Sequence, residues 1–133
     1  MKKELSNNQI LNLIAQGIFD KKGQNILVLD VTGINTMTDV FVIAEGTSDR
    51  HVKSLANYLI TLLEPYLGLP YHSEGLAHSD WVVLDYYDIV IHLLTSELRD
   101  RYSLEKLWTA GHIVDVIIDI HSPYESTTSK SGK

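Results

Sequence analysis

The stretch WVVLDYYDIVIHLL, residues 81–94, decides the fold. Two short apolar runs, 81–85 and 89–94, flank a pair of tyrosines, and each run alternates. That is the pattern of a β-hairpin with one buried face. If Asp85 lies opposite Asp88, the cross-strand pairs are Leu84–Ile89, Val83–Val90, Val82–Ile91 and Trp81–His92. Val82, Leu84, Ile89 and Ile91 then share a core face. Trp81, Val83, Asp85, Asp88, Val90 and His92 share the other, which is not a core pattern. Two tyrosines suit a tight turn poorly, because such turns favour residues that accept positive φ.

Working outward, ILVLDV (26–31) and DVFVIAE (39–45) are β-branched, short and bounded by Gly33 and Asn35, and they predict two neighbouring strands. Ile10, Leu13, Ile14 and Ile18 recur at helical spacing and predict a first helix ending near Lys21–Lys22–Gly23. Val52, Leu55, Ala56, Leu59, Leu62 and Leu63 mark one face of a second helix that stops by Gly68 and Pro70. YHSEGLAHS (71–79) is a weak strand or a loop. Residues 96–108 suggest one or two short helices with Ser96 and Ser103 as caps, and IVDVIIDI (113–120) a last strand. The expected fold class is α/β (α+β), one mixed sheet with helices packed on it. The hairpin argues against an all-parallel sheet. A single domain over residues 1–120 is expected, followed by a tail over 121–133 that lacks periodic apolar residues and is expected to be disordered.

Composition limits the function. The chain has 133 residues, no cysteine and a formal charge of −6, with a pI of about 5.4. Disulfides and thiolate metal sites are excluded, and the basic residues form no stripe. Affinity resting on phosphate neutralisation is therefore not expected, and little or no direct nucleic-acid binding follows. An acidic protein more readily grips a basic one. No apolar run approaches the ~20 residues of a membrane span, and the N-terminus lacks the features of a signal or transit peptide, so a cytoplasmic location is expected. His72, His78, His112 and His121 have no metal-binding spacing, so no metal site and no cofactor are expected.

Two constellations remain. Gly46-Thr47-Ser48, at a strand-to-helix junction with Arg50 and His51 beside it, can offer backbone N–H groups to a phosphate. It can equally be a capped helix start, with Ser48 as cap and Asp49 at the positive end. Asp49 favours the cap, because a carboxylate already occupies the place a phosphate would take. The hairpin's outer face has three readings. Asp85 and Asp88 can hold a divalent ion for phosphoryl transfer, although no third carboxylate is evident. Arg99 or Arg101 can neutralise the pair. Alternatively the face is a docking surface, with Trp81 as anchor and the acids and His92 facing a basic partner. Tyr102 and Trp108 fit a core as well as a surface.

Taken together in order, GTSDRHVKSLA, SEG, WVVLDYYDIVIHLL and ELRDRYSLEKLW closely resemble the ribosomal silencing factor family, RsfS or Iojap, from about residue 5 to 118. The resemblance implies a nucleotidyltransferase-like α/β fold without catalytic residues. It also implies binding to a basic protein of the large ribosomal subunit, number fourteen, at the subunit interface. Small-subunit joining would thereby be blocked and translation repressed in a bacterial cytoplasm, with homodimers expected as well. The family's characteristic positions fall here on Gly46, Thr47, Ser48, Arg50, His51, Trp81, Asp85, Asp88, His92, Glu97, Arg99, Tyr102, Leu104, Glu105 and Trp108. Of these, Trp81, Asp85, Asp88, His92, Tyr102, Leu104 and Trp108 are the expected partner contacts. The rival is a nucleotide-binding enzyme using Gly46–Ser48 with Asp85 and Asp88. Where the family usually has glycine between the aspartates, this chain has Tyr87, so a differently shaped turn is expected.

Overall fold

The computed structural model describes residues 4–34, 38–77, 80–103, 106 and 111–120. The elements run α1 (Asn7–Asp20), β1 (Gln24–Asp30), β2 (Val40–Gly46), α2 (Asp49–Leu67), β3 (His72–Glu74), β4 (Trp81–Asp85), β5 (Ile89–Thr95), α3 (Ser96–Tyr102) and β6 (His112–Ile113). The strands form one sheet in the order β3-β4-β5-β2-β1-β6. Only β2 and β5 pair in parallel among the described strands; the other pairings are antiparallel, which makes the sheet mixed as expected.

Each helix starts where its side chains satisfy the free backbone donors. Ser6 and Gln9 form a reciprocal capping box at α1, and Ser48 accepts from the His51 N–H at α2. α2 ends on Gly68 at φ 75, a conformation that glycine adopts without strain. The apolar stripes of α1 (Ile10, Ile14, Ile18) and α2 (Leu55, Leu59, Leu63) cover one sheet face. There they meet Val28, Val42, Val82, Leu84, Ile91 and Leu93 to form the main core. Central strand β2 is buried along its length except at Val40, because it has neighbours on both edges and contacts on both faces.

On the opposite face the described residues supply one short helix, α3. That face carries Leu29, Val31 and Phe41 in one cluster, and Ile43 and Leu94 with Trp81 and Leu98 in another. Helix α3 contributes Leu98 to this side.

Four sequence expectations need correction. The hairpin register is shifted by two: Asp85 lies opposite Val90, Val83 opposite His92, and Trp81 opposite Leu94. A shift of two preserves the faces, because side chains alternate with period two, so Trp81, Val83, Val90 and His92 still share the outer face. Asp88 sits in the turn and not across from Asp85. There its carbonyl accepts from Asp39 and Val40. The turn is built on Tyr87 at φ 78, with the Tyr86 N–H bonded to Ile89. The last strand is two residues long instead of spanning 113–120. The Val114 N–H still donates to the Val28 carbonyl of β1, and further on the chain is tied to α1: the Ile117 N–H donates to Asn12 and the Asp119 N–H to Gln16. Finally, Thr95 and not Ser96 caps α3, and Ser103 closes its C-terminus at φ 48.

Candidate functional site: the outer sheet face

Trp81 begins β4 and His92 lies mid-β5, diagonal neighbours on the outer face. The indole N–H donates to His92 Nδ1 at 3.1 Å, with ring centroids 6.0 Å apart. This bond fixes the imidazole as the neutral tautomer protonated on Nε2, since Nδ1 must accept. Phe41 of β2 packs on the same imidazole at 5.7 Å, and Tyr102, the last residue of α3, packs on the indole at 5.3 Å. Burial pushes the His92 pKa down to about 4. Trp81 is half-buried and Tyr102 is exposed. The result is an aromatic cluster whose exposed member is Tyr102. Its apolar floor is Ile43 and Leu94.

The acids lie elsewhere along the same strands. Asp85 is four residues from Trp81, roughly 13 Å at strand rise. Its carboxylate accepts from the Tyr87 N–H at 2.8 Å and so shapes the turn. Trp81 and His92 are thus brought together, while Asp85 and Asp88 form the far end of the surface. The two arginines do not neutralise them. Arg99 is buried and pairs with Glu45 at 3.2 Å, also donating to the carbonyl of Asn25, whose amide in turn donates to Glu45 at 3.0 Å. Arg101 is exposed. This buried ion pair ties α3 to β1 and β2 and was missed in the sequence. Glu45, an acid closing an otherwise apolar strand, was its only signal.

The Gly46–Ser48 turn is a staple. His51 Nδ1 accepts from the Thr47 N–H at 2.9 Å, with the Thr47 hydroxyl 3.2 Å away. With Nδ1 accepting, Nε2 donates to the Lys21 carbonyl at 2.8 Å, joining the start of α2 to the end of α1. Gly46 is required by close approach: a Cβ there would meet Val52 Cγ2 at 2.8 Å and Val52 N at 3.0 Å. Asp49 accepts from the N–H of Arg50, whose side chain is exposed. An open cleft beside the turn is lined by Thr47, Ser48, Asp49, Asp80, Thr95, Ser96 and Glu97. Its three carboxylates disfavour a phosphate. Among the described residues no group of three or more His, Asp or Glu side chains is placed to hold a metal ion. Leu104, Glu105 and Trp108 lie outside the described residues.

Comparison with known proteins agrees with this architecture. Residues 4–132 match the family described as ribosomal silencing factor during starvation. A ribosomal silencing factor from Halalkalibacterium halodurans is 32% identical over 84% of this chain and 96% of its own length. One from Bacillus subtilis is 31% identical over 84% and 95%. The mouse protein named mitochondrial assembly of ribosomal large subunit protein 1 is 32% identical over 83% of this chain, which spans 50% of that relative. A crystal structure from Chromobacterium violaceum superposes with a TM-score of 0.74 at 29% identity, covering 90% of this chain and 99% of that one. A second, from Bacillus halodurans, gives 0.70 at 31% identity, covering 83% and 100%.

Proposed function

Starting from the chain's membership in the ribosomal silencing factor family, we propose that it docks its outer sheet face, the one bearing Trp81, on a basic protein of the large ribosomal subunit, number fourteen. Small-subunit joining is then blocked by occupied volume. No chemistry is needed for this, and none of the Gly46–Ser48 donors has to be freed. The family itself carries the role in ribosome silencing and association with the large subunit.

The observation that supports the surface is the Trp81–His92–Tyr102 cluster, set on an apolar floor with Tyr102 exposed. A preorganised aromatic anchor loses little side-chain entropy on binding, as interface hot spots require. Asp85 and Asp88, at the far end of the same strands, add negative charge that suits a cationic partner and speeds encounter. Leu104 and Trp108 belong to the same proposed contact set. The cluster also suits a self-complementary contact between two copies, so a homodimer would compete for it. The proposed setting is the bacterial cytoplasm; no helix among the described residues is long and apolar enough to cross a membrane.

The test is co-sedimentation with isolated large subunits. Trp81→Ala should weaken binding about thirtyfold, from a loss of ~2 kcal/mol, while circular dichroism shows the fold intact. Undiminished binding by that folded variant would refute this surface. Light scattering of the same variant reports on the homodimer.

A further inference from the structure

The β4–β5 turn, at the opposite end of the sheet from Trp81, carries a second aromatic feature that the proposed docking does not use. Tyr71 and Tyr87 are 81% and 70% exposed, yet their rings stack on one another, with centroids 5.7 Å and planes 17° apart. Asp85 arranges both: its carbonyl accepts the Tyr71 N–H and its carboxylate the Tyr87 N–H, each at 2.8 Å. Tyr86 points the other way and packs on the core. Tyr87 holds its position at φ 78, in the left-handed region where a side chain is normally disfavoured. A strained backbone that displays a ring to water is better explained by something the ring meets than by the core.

The surroundings specify what that is. Asp88 is exposed in the same turn, and the neighbouring Asp39, also exposed, donates its N–H to the Asp88 carbonyl at 3.1 Å. Between Gly23 and Leu98 the only lysine and arginine are Lys53 and Arg50, both in the first turns of α2 at the far end of the sheet. The turn therefore presents ring faces beside the exposed carboxylates of Asp39 and Asp88. Phosphates are repelled there. A planar cation is favoured twice, by the ring quadrupole and by the acids, and guanidinium fits better than ammonium because it stacks flat and is less tightly hydrated.

We propose that the Tyr71–Tyr87 pair is a platform for arginine side chains of an extended basic segment of a protein partner. It is a second foothold that borders the proposed docking surface at Asp85 and Asp88 but does not use its Trp81 anchor. The probe is a blocked peptide, acetyl-Gly-Arg-Arg-Gly-Arg-Arg-Gly-amide, titrated at low salt into the full-length ¹⁵N-labelled protein. Its all-lysine counterpart and a short oligouridylate are titrated in parallel. Shift changes should be confined to residues 71–72, 85–88 and 39–40, and the arginine peptide should bind more tightly than the lysine one. Tyr87→Gly, which relieves the left-handed backbone and so should fold, should weaken the arginine peptide about fivefold. Tyr71→Ala combined with Tyr87→Gly should abolish binding, and Trp81→Ala should leave it unchanged. Equal affinity for the Tyr87→Gly variant, shifts centred on Trp81 and His92, or tighter binding of the oligouridylate at the turn would overturn the proposal.

Discussion

Lowering the pH from 8 to 5 should cost the protein about 2 kcal/mol of stability through His92 alone. The ring has an ordinary value of 6.5 in the unfolded chain and is pushed down to about 4 by burial in the fold. Below 6.5 the unfolded chain therefore takes up a proton that the folded one refuses. The contribution is fully present above 6.5 and is lost as the pH falls toward 4. At pH 5 the solution is about 1.5 pH units below the pKa of the unfolded ring, while the folded ring is still mostly neutral. At ~1.36 kcal/mol per unit this gives about 2 kcal/mol. The chemistry is visible in the site: a proton on Nδ1 would charge a ring packed between Phe41 and Trp81 and would remove the acceptor of the indole N–H. Urea unfolding of the protein and of His92→Gln at both pH values isolates the effect, because carboxylate and other histidine contributions cancel in the difference. The variant should start less stable at pH 8 yet lose about 2 kcal/mol less on acidification. NMR titration of the ring gives the same quantity directly. A His92 that titrates near 6.5, or equal pH losses in the two proteins, would refute the argument.

Other substitutions probe the remaining parts. Arg99→Ala strands the Glu45 carboxylate in a buried site and should cost 3–5 kcal/mol, roughly, in chemical denaturation, whereas Glu45→Met with Arg99→Met should recover most of it. Gly46→Ala should cost about 1–3 kcal/mol, because the new methyl meets Val52 backbone as well as its side chain; an unchanged Tm would show that α2 shifts freely. Tyr87→Gly should raise stability by ~1 kcal/mol, and Tm by a few degrees, by relieving the positive φ.

The ordering of hydrophobic and polar positions carried much of the fold. Alternation in 81–85 and 89–93 settled which side chains point to the core, and even a two-residue error in register left Trp81 and His92 on the outer face, since parity is all that alternation encodes. The helix limits at Ser48 and Gly68 were equally local, set by a capping hydroxyl and a residue free to take positive φ. The ordered motifs also pointed to the family, which the comparisons bear out. What depended on distant segments was not legible. The register depends on how Tyr87 bends the turn, and no turn signature announces a tyrosine at φ 78. The parallel pairing of β2 with β5 joins strands separated by a whole helix and hairpin. It carries α3 close enough for Arg99 to reach Glu45 instead of the aspartates. The stacking of Tyr71 on Tyr87 likewise needed β3 to run along β4. Local chain chemistry determined which elements form and which faces they bury. Only the tertiary structure decided which charged and aromatic side chains meet, because those meetings are made by contacts remote in sequence.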